Sequence, residues 1–311
     1  MGNVEFKHWT VMKSEAVEGL IQAGSDKIYL DMTLGGAGHS ELILKNLSPN
    51  GKLISFDIDE DAIEASRPKL EKYPNSIIIN DSYLNFKKHL DALGIKEITG
   101  GVLFDLGASF HQFNDGDRGF SFMKDAPLDM RFGKSIERTA YDVVNKYPEA
   151  KLVEIFSKYG EERFSKTIAR KIVQNRPINT TLQLANIIST SVPKIKSNIH
   201  PATRVFQAIR IEVNQELLNF ENTLNELLPL LSLGAIISVI SFHSLEDRIV
   251  KNFFRDYSKS CRCEKYEPIC KCGGRILELI NKKPIEPSTE EIKINPPSRS
   301  AKLRLAKKIK A

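Results

Sequence analysis

The sequence is poor in cysteine and tryptophan and holds no long uninterrupted apolar run. Only four of its 311 residues are cysteine and one is tryptophan, which excludes a secreted scaffold built on disulfides. The longest strongly apolar stretch, residues 230–240, is interrupted by Ser232, Gly234 and Ser238. It is shorter than the ~20 residues that a membrane-spanning helix needs. We therefore expect no membrane span.

The N-terminal residues also lack the pattern of a targeting signal. No basic segment leads into an apolar one, and Phe6 stands where a myristoylation signal requires Ser or Thr. These absences predict a cytoplasmic protein. Hydrophobic residues make up 41% and charged residues 27% of the chain, which excludes a disordered or fibrous protein. The length predicts two domains, or one domain with a large insertion.

Acidic residues are absent from the last part of the chain, and the positive charge lies there. The formal net charge is +6. Seven basic residues and no acidic residue lie between Lys293 and Ala311, so the rest of the chain is close to neutral. A basic segment of this kind favours an anionic partner such as nucleic acid.

Short apolar runs alternate with helical patterns in the first third of the chain. The runs at residues 27–31, 52–57, 77–79 and 101–105 are typical of buried parallel strands covered by helices on both faces. Ligands bind beyond the carboxyl ends of such strands. Four carboxylates stand at those ends, namely Asp31, Asp57, Asp81 and Asp105.

This alternation stops after Asp105, which indicates an insertion. A polar loop and helical patterns without a strand follow, and a long helix over residues 202–231 leads back to an apolar strand. Two further segments near the C-terminus predict a closing antiparallel pair of strands. We therefore expect a sheet domain formed by residues 1–132 and 201–311, interrupted by a helical domain at residues 133–200.

The loop after the first predicted strand suits a nucleoside ligand. Gly35, Gly36 and Gly38 permit close approach of a ligand to the backbone at the start of a helix. Glu41 stands where a dinucleotide motif has its third glycine, which argues against NAD. Asp57 is placed to accept hydrogen bonds from both hydroxyls of a ribose. The pattern favours an adenosyl cofactor without pyrophosphate over a tight turn beside a solvated carboxylate.

Seven motifs in fixed order resemble those of one family. They are DMTLGGAGHS at 31–40, DLGAS at 105–109, RGFSF at 118–122, PLDMR at 127–131, HPATR at 200–204, FHSLEDR at 242–248 and SRSAKLR at 298–304. Together they resemble the bacterial 16S rRNA cytosine-N4 methyltransferase family (RsmH/MraW). The resemblance covers nearly the whole chain, from His8 to Arg304.

The resemblance implies an activity, a cofactor and a fold. The methyl donor would be S-adenosylmethionine, and the acceptor would be the N4 amine of one cytidine in the decoding centre (P site) of 16S rRNA within the small ribosomal subunit. The implied fold is a class I S-adenosylmethionine-dependent methyltransferase. That fold is an α/β, Rossmann-like doubly wound sheet with a C-terminal antiparallel hairpin, here carrying an inserted helical domain.

The resemblance also implies a set of cofactor-binding residues. These are Ala37, Gly38, His39, Asp57, Tyr83, Asp105 and Gln112. Ala37 stands where the family usually has Gly and Tyr83 where it has Phe, but a backbone contact and an aromatic face are retained. Asp105 is our candidate catalytic residue, and either it or a neighbouring backbone carbonyl would accept an N–H of the cytosine amine. The alternative is that Asp105 contacts the methionine amine of the cofactor.

Residues in four motifs are candidates for contact with RNA. A cytidine in folded RNA must be unstacked, and aromatic rings commonly hold such a base, although core burial is the more usual role of a single Phe. Two groups of polar residues would bind the base or phosphate, or form an internal ion-pair network: Asp129 and Arg131, and His243, Glu246 and Asp247. Basic residues of the C-terminal segment would bind phosphates. The candidates are Phe120, Phe122, Asp129, Arg131, Phe242, His243, Arg299, Lys302 and Arg304, with Arg163, Lys166 and Arg170 on one helix face as a second basic contact or simply a solvated surface.

Two alternatives to this function stay open at the level of sequence. One is an N4-cytosine methyltransferase that acts on DNA or on another RNA, because the cofactor loop does not specify the acceptor. The other is a non-catalytic ribosome-assembly factor that retains the fold.

The four cysteines lie in two Cys-x-Cys pairs within twelve residues. Cys261 and Cys263 form the first pair, and Cys270 and Cys272 the second. Paired cysteines of zinc sites are usually separated by about two to four residues, whereas one residue separates them here. We therefore predict reduced thiols and no bound metal; the alternative is that the four thiolates close around one zinc ion.

Overall fold

The computed structural model describes residues 10–107, 118–193, 200–263 and 271–310. Within these ranges no helix is long and apolar enough to cross a membrane. The described residues form two compact units. One lies within Met1–Gly107 and Asn219–Ala311, which we call the sheet unit, and the other within Ala108–Leu218, which we call the helical unit.

The sheet unit is built on a mixed sheet whose strand order is β3-β2-β1-β4-β5-β7-β6. Strands β1 to β5 are parallel, and β7 is antiparallel to both β5 and β6. The predicted doubly wound α/β fold with a C-terminal antiparallel hairpin is confirmed. The strands are β1 (Ile28–Asp31), β2 (Lys52–Asp57), β3 (Ser76–Asn80), β4 (Gly101–Asp105), β5 (Ile236–Ser241), β6 (Leu277–Leu279) and β7 (Lys302–Lys308).

Helices pack on both faces of this sheet. All six residues of β5 are buried, as expected of a central parallel strand with both faces covered. One apolar layer contains Phe86, Phe104 and Phe254, and the layer on the other face contains Leu20 and Leu303. The helices are α1 (Lys13–Leu20), α2 (Gly38–Asn46), α3 (Glu60–Leu70), α4 (Phe86–Ala92), α10 (Glu216–Leu227), α11 (Ser244–Tyr257) and α12 (Thr289–Ile294), numbered in chain order.

The helical unit has its own apolar core. Thr139 and Thr180 each form a capping box that starts a helix. The core includes Phe156, Ile168 and Ile209, all fully buried. The helices are α5 (Ala140–Lys146), α6 (Glu149–Gly160), α7 (Ser165–Gln174), α8 (Thr181–Ser191) and α9 (Ala202–Asn214).

The helical unit extends beyond the predicted insertion of residues 133–200. Leu128 and Met130, from the loop before α5, are buried in its core together with Val205 and Ile209 of α9. The loop therefore folds with the helices that follow it, because its apolar side chains find their burial there.

The predicted single helix over residues 202–231 is wrong. Gln215 has a φ of 50° in the left-handed region and separates α9 from α10. The side chain of Asn214 donates to the carbonyl of Met130 and accepts from the amide of Phe132, both at 2.8 Å. Tertiary hydrogen bonds to the loop thus outweigh continuous helical propensity at this point.

Candidate functional site

Three carboxylates meet at the carboxyl edge of the sheet. Asp31, Asp57 and Asp105 end β1, β2 and β4, and β1 lies between the other two strands. Burial raises the pKa of Asp31 to about 6 and that of Asp57 to about 6. The edge is therefore an acidic site that favours a cationic ligand.

Asp57 holds the glycine loop in place. Its Oδ2 accepts from the amide of Gly35 at 2.8 Å, and its Oδ1 accepts from the amide of Asp59 at 2.9 Å. Each oxygen keeps a lone pair for a further donor such as a ribose hydroxyl. The structure places Asp57 beside the glycine loop, as the sequence predicted. Its contact with Gly35 is a hydrogen bond within the protein, which the sequence analysis did not predict.

Ala37 adopts a backbone conformation that favours glycine. Its φ is 61° and its ψ is 17°, a left-handed region that costs a non-glycine residue roughly 1–2 kcal/mol. Gly38 follows at the first position of α2, where an added Cβ would lie 1.7 Å from the Thr10 hydroxyl oxygen. The loop therefore offers backbone rather than side chains, as the resemblance implied for Ala37.

Residues that the sequence analysis did not single out fix the loop and the carboxylates. Ser40 donates to Asp31 at 2.7 Å and contacts the hydroxyl of Ser55 at 2.8 Å. The hydroxyl of Thr33 accepts from the amide of Asp105 at 2.7 Å. The available signal for these positions was that Thr33 and Ser40 belong to the motif at 31–40 and that Ser55 is a hydroxyl residue within an otherwise apolar strand.

Asp105 has a partner on one oxygen only. Its Oδ2 lies 3.6 Å from Nδ1 of His39, and its Oδ1 is buried and has no hydrogen-bond partner in the described part of the chain. Burial, followed by the negative charges of Asp31, Glu246 and Glu291, raises its pKa well above the usual range. Oδ1 is thus a buried acceptor ready for a donor of a bound ligand.

His39 is held by its second ring nitrogen. Nε2 lies 3.0 Å from the carbonyl of Val11 and donates to it, so in the neutral ring Nδ1 carries the lone pair that faces Asp105. His39 is buried. The sequence analysis placed it only in the cofactor loop and missed its pairing with Asp105.

These residues fit an adenosyl cofactor that carries positive charge. Asp57 has unused acceptor capacity for ribose hydroxyls, and Oδ1 of Asp105 is an orphaned acceptor among carboxylates. Tyr83 packs its ring edge-on against Phe104 with centroids 6.0 Å apart, which leaves it beside β4. Gln112, the remaining predicted cofactor contact, lies outside the described residues.

The motif at residues 242–248 forms an internal network. His243 caps α11, and Glu246 returns a hydrogen bond to the N-cap. Oε2 of Glu246 accepts from the amide of Phe242 at 2.8 Å, and Nε2 of His243 lies 3.1 Å from Oε1 of Glu246. The ring of Phe242 packs against an apolar layer of the sheet unit. The internal alternative accounts for these contacts, and RNA contacts of Phe242 and His243 stay predictions.

The basic C-terminal segment is partly used inside the fold. Arg304 makes two hydrogen bonds with Asp247, at 2.7 and 3.2 Å, and Lys302 lies 3.8 Å from the same carboxylate. Lys308 is buried and donates to the carbonyls of Leu228 and Leu231 at 3.0 and 2.6 Å.

Burial lowers the pKa of Lys308, and its two carbonyl contacts give it a structural role. It therefore does not belong to the phosphate-binding segment. Arg299 and Lys307 are exposed, and their contact with RNA phosphates stays a prediction. An RNA contact of Arg304 would have to compete with its ion pair with Asp247.

The residues of the helical unit predicted to contact RNA also fall into two groups, those in internal contacts and those exposed to solvent. Phe120 is 4% exposed and stacks on Phe132, which is the core role. Phe122 stacks on His200 with centroids 4.5 Å apart. Burial raises the pKa of Asp129, but its hydrogen bonds with Arg131 outweigh this and lower it. Lys166 and Arg170 of α7 are exposed, as is Arg163, which lies in the turn before this helix.

Nearly the whole chain is similar to known proteins. The family described as the MraW methylase family matches residues 5–309. A protein named Ribosomal RNA small subunit methyltransferase H from Clostridium botulinum (strain Loch Maree / Type A3) is 47% identical over 311 residues, covering 98% of this chain and 100% of that protein. One of the same name from Caldicellulosiruptor bescii is 48% identical over 308 residues, with coverage of 98% and 100%. A solved structure of a putative methyltransferase from Streptococcus mutans in complex with SAH covers 97% of this chain and 100% of that one, with 13% identity and a TM-score of 0.43.

Proposed function

Because the chain belongs to the MraW methylase family, whose methyl donor is S-adenosylmethionine, we propose that it methylates ribosomal RNA of the small subunit. The acceptor we propose is the N4 amine of a cytidine in the P site of 16S rRNA. The names of the relatives support the class of RNA, and the seven motifs support the cytidine amine. Such a substrate makes the protein cytoplasmic.

The observation that carries the enzymatic role is that Oδ1 of Asp105 is buried and has no hydrogen-bond partner among the described residues. When bound, S-adenosylmethionine would supply a methyl group on a cationic sulfur; the amine nitrogen would attack this methyl carbon in line, and the C–S bond would break to release the neutral thioether S-adenosylhomocysteine. The cytosine amine is a weak nucleophile because its lone pair is delocalised into the ring. A carboxylate that accepts one of its N–H bonds favours the pyramidal, nucleophilic form of the nitrogen. We assign this acceptor role to Oδ1 of Asp105.

The same carboxylate receives the proton that the nitrogen must lose. As the new C–N bond forms, the N–H electron pair returns to nitrogen and the proton passes to Asp105. The raised pKa of Asp105 makes it a better base than an ordinary carboxylate. Nδ1 of His39, 3.6 Å away, then shares this proton, because Nε2 is already committed to the carbonyl of Val11.

The remaining roles follow from the two units. Asp57 orients the ribose, and the backbone of residues 35–38 lines the cofactor site. We assign the cofactor to the sheet unit, and RNA contacts to the helical unit together with the exposed basic residues Arg299, Lys302 and Lys307. The two units meet in the chain near residues 107 and 219, whereas the sequence analysis predicted an insertion over residues 133–200.

Transfer of label from methyl-labelled S-adenosylmethionine to small ribosomal subunits that lack the modification tests this function. We expect label in 16S rRNA, and mass spectrometry of its nucleosides should identify N4-methylcytidine. Labelled DNA with unlabelled rRNA would favour a DNA methyltransferase. Absence of transfer by a protein that binds the cofactor would favour an assembly factor. Methylation at carbon 5 would contradict the proposed acceptor atom.

A further inference from the structure

A cysteine cluster lies apart from the site just described. Strand β5 leads through α11 to a loop, by which we mean its described residues 258–263 and 271–276, and β6 then begins opposite Lys308 of β7. Lys307 pairs with Ile236, the first residue of β5. The loop therefore lies at the amino edge of the parallel strands, whereas the cofactor residues lie at the carboxyl edge. A strand of six residues separates the two edges by roughly 20 Å.

Three thiols of this loop converge. One sulfur atom from each of Cys261, Cys263 and Cys272 lies within 4.8 Å of the others. The Sγ atoms of Cys261 and Cys272 are 3.9 Å apart, and none of the three residues is in a disulfide. Two sulfur ligands on one tetrahedral zinc ion, with Zn–S bonds of about 2.3 Å, lie about 3.8 Å apart. The observed separation matches shared coordination and is far from a covalent S–S bond.

Each of the three sulfurs also accepts a hydrogen bond from a backbone amide. The amide of Arg262 donates to Cys272 at 3.0 Å, that of Cys263 to Cys261 at 3.4 Å, and that of Lys271 to Cys263 at 3.2 Å. Amide donors stabilise sulfur in its anionic form, which is the form that binds metal. Once deprotonated, the three sulfurs held together in this way would carry negative charge that a divalent cation neutralises.

Hydrogen bonds from long basic side chains hold the backbone around the thiols. Arg262 donates to the carbonyls of Cys272 and Gly274 at 2.6 and 3.0 Å and lies over the ring of Tyr257. Lys310 donates to the carbonyl of Gly273 at 2.6 Å. The loop is thus tied to α11 and to the end of the chain with little apolar burial of its own, which is the setting in which a structural metal replaces a core.

We propose that Cys261, Cys263 and Cys272 bind one zinc ion that closes this loop and has a structural role. Sulfur ligands in a tetrahedral arrangement select zinc over harder cations. The spacing of one residue between Cys261 and Cys263, which led the sequence analysis to predict no metal, is accommodated because Cys272 approaches them through hydrogen bonds between the two chain segments. Cys270, the fourth cysteine of the chain, lies outside the described residues.

Elemental analysis of the full-length protein, expressed in zinc-supplemented medium and purified under reducing conditions, tests the site. We expect about one zinc per chain and its loss from the variants Cys261→Ser and Cys272→Ser, whereas Ser260→Ala, an exposed change in the same loop, keeps it. Cofactor affinity should stay within about twofold in all three variants, because distant sites act independently. Iron instead of zinc, no metal, or zinc retained by both cysteine variants would overturn the proposal.

X-ray absorption of the wild-type protein gives a second test that does not depend on the folding of variants. Three or four sulfur ligands at about 2.3 Å support the site. Two or fewer sulfur ligands contradict it, as does a mass-spectrometric finding that Cys261 is joined to Cys272 in a disulfide. Loss of rRNA methylation with zinc content unchanged would bear on the proposed function alone.

Discussion

Asp105 and Asp247 are carboxylates of the same unit with similar exposure and opposite surroundings. Their side chains are 15% and 13% exposed. Asp247 is matched by the guanidinium of Arg304, with two hydrogen bonds. Asp105 faces other carboxylates and a histidine, and one of its oxygens has no partner within the described ranges. A buried carboxylate that is paired with a cation stabilises the fold. A buried carboxylate without a counter-charge lowers stability, and such groups are typical of sites where a ligand supplies the missing partner.

The largest effect should follow from removing the unmatched charge. Asp105→Asn is expected to lower the rate of methyl transfer about 100-fold or more, the range of a lost general base. The thermal midpoint of the protein without cofactor should stay the same or rise at neutral pH, because a buried charge among like charges is removed. Single-turnover transfer and thermal unfolding measure the two effects. Unchanged transfer would remove Asp105 from the chemistry.

Removing the matched charge should have the opposite consequences. Asp247→Asn leaves the guanidinium of Arg304 without its counter-charge and is expected to reduce the free energy of unfolding by about 3 kcal/mol. The exposed pair of Asp256 with Lys259 provides a control, since Asp256→Asn should change stability little. Chemical denaturation compares the variants. An equal loss in both would mean that the Asp247 pair is no more than a surface contact.

The effect expected at Asp57, the proposed ribose-binding carboxylate, is smaller than that of Asp105→Asn on methyl transfer. Asp57→Ala should weaken binding of S-adenosylmethionine about tenfold, because the ribose loses its acceptor and the loop loses its contact with Gly35. Asp61→Ala, an exposed change in the first turn of α3, is the matched control. Calorimetry measures both. An affinity equal to that of the control would contradict the role of Asp57.

The same affinity should depend on pH. Burial raises the pKa of Asp57 to about 6, and only the ionised carboxylate accepts from both ribose hydroxyls. Affinity for the cofactor is therefore expected to be full above this pKa and to fall as pH drops through about 6, by at most tenfold per pH unit. Calorimetry across this range measures it. A flat profile, or binding that strengthens in acid, would contradict the assignment.

The smallest expected effects separate two neighbouring lysines. Lys307→Met should weaken rRNA binding a fewfold and reduce its salt dependence by about one counterion, with stability unchanged, because Lys307 is exposed. Lys308→Met should leave rRNA binding unchanged and lower stability by about 1–3 kcal/mol, because the carbonyls of Leu228 and Leu231 lose their donor. Filter binding and denaturation distinguish them, and the reverse pattern would contradict the assignment.

The sequence was sufficient for the sheet, because uninterrupted apolar runs that end in Asp31, Asp57 and Asp105 are a local signal of buried parallel strands. It was not sufficient for the break at Gln215. That break depends on hydrogen bonds from Asn214 to a loop more than eighty residues away, which no local pattern contains.

The candidate site was predictable to a similar degree. The glycine loop and Asp57 follow from spacing within one strand–loop–helix unit. The burial of Lys308 and the pairing of Asp247 with Arg304 depend on how β7 enters the sheet, and a basic segment has the same composition whether its charges are buried or exposed. The pairing of His39 with Asp105 likewise joins residues from separate elements, the first turn of α2 and the end of β4.

Titration of the Asp105 carboxyl by ¹³C nuclear magnetic resonance, assigned with Asp105→Asn, tests the difference between matched and unmatched carboxylates most directly. Without cofactor we predict that Asp105 titrates well above the ordinary pKa of about 3.9 for aspartate. Binding of cationic S-adenosylmethionine should lower that value. An Asp105 that titrates at or below the ordinary value without cofactor would contradict the account.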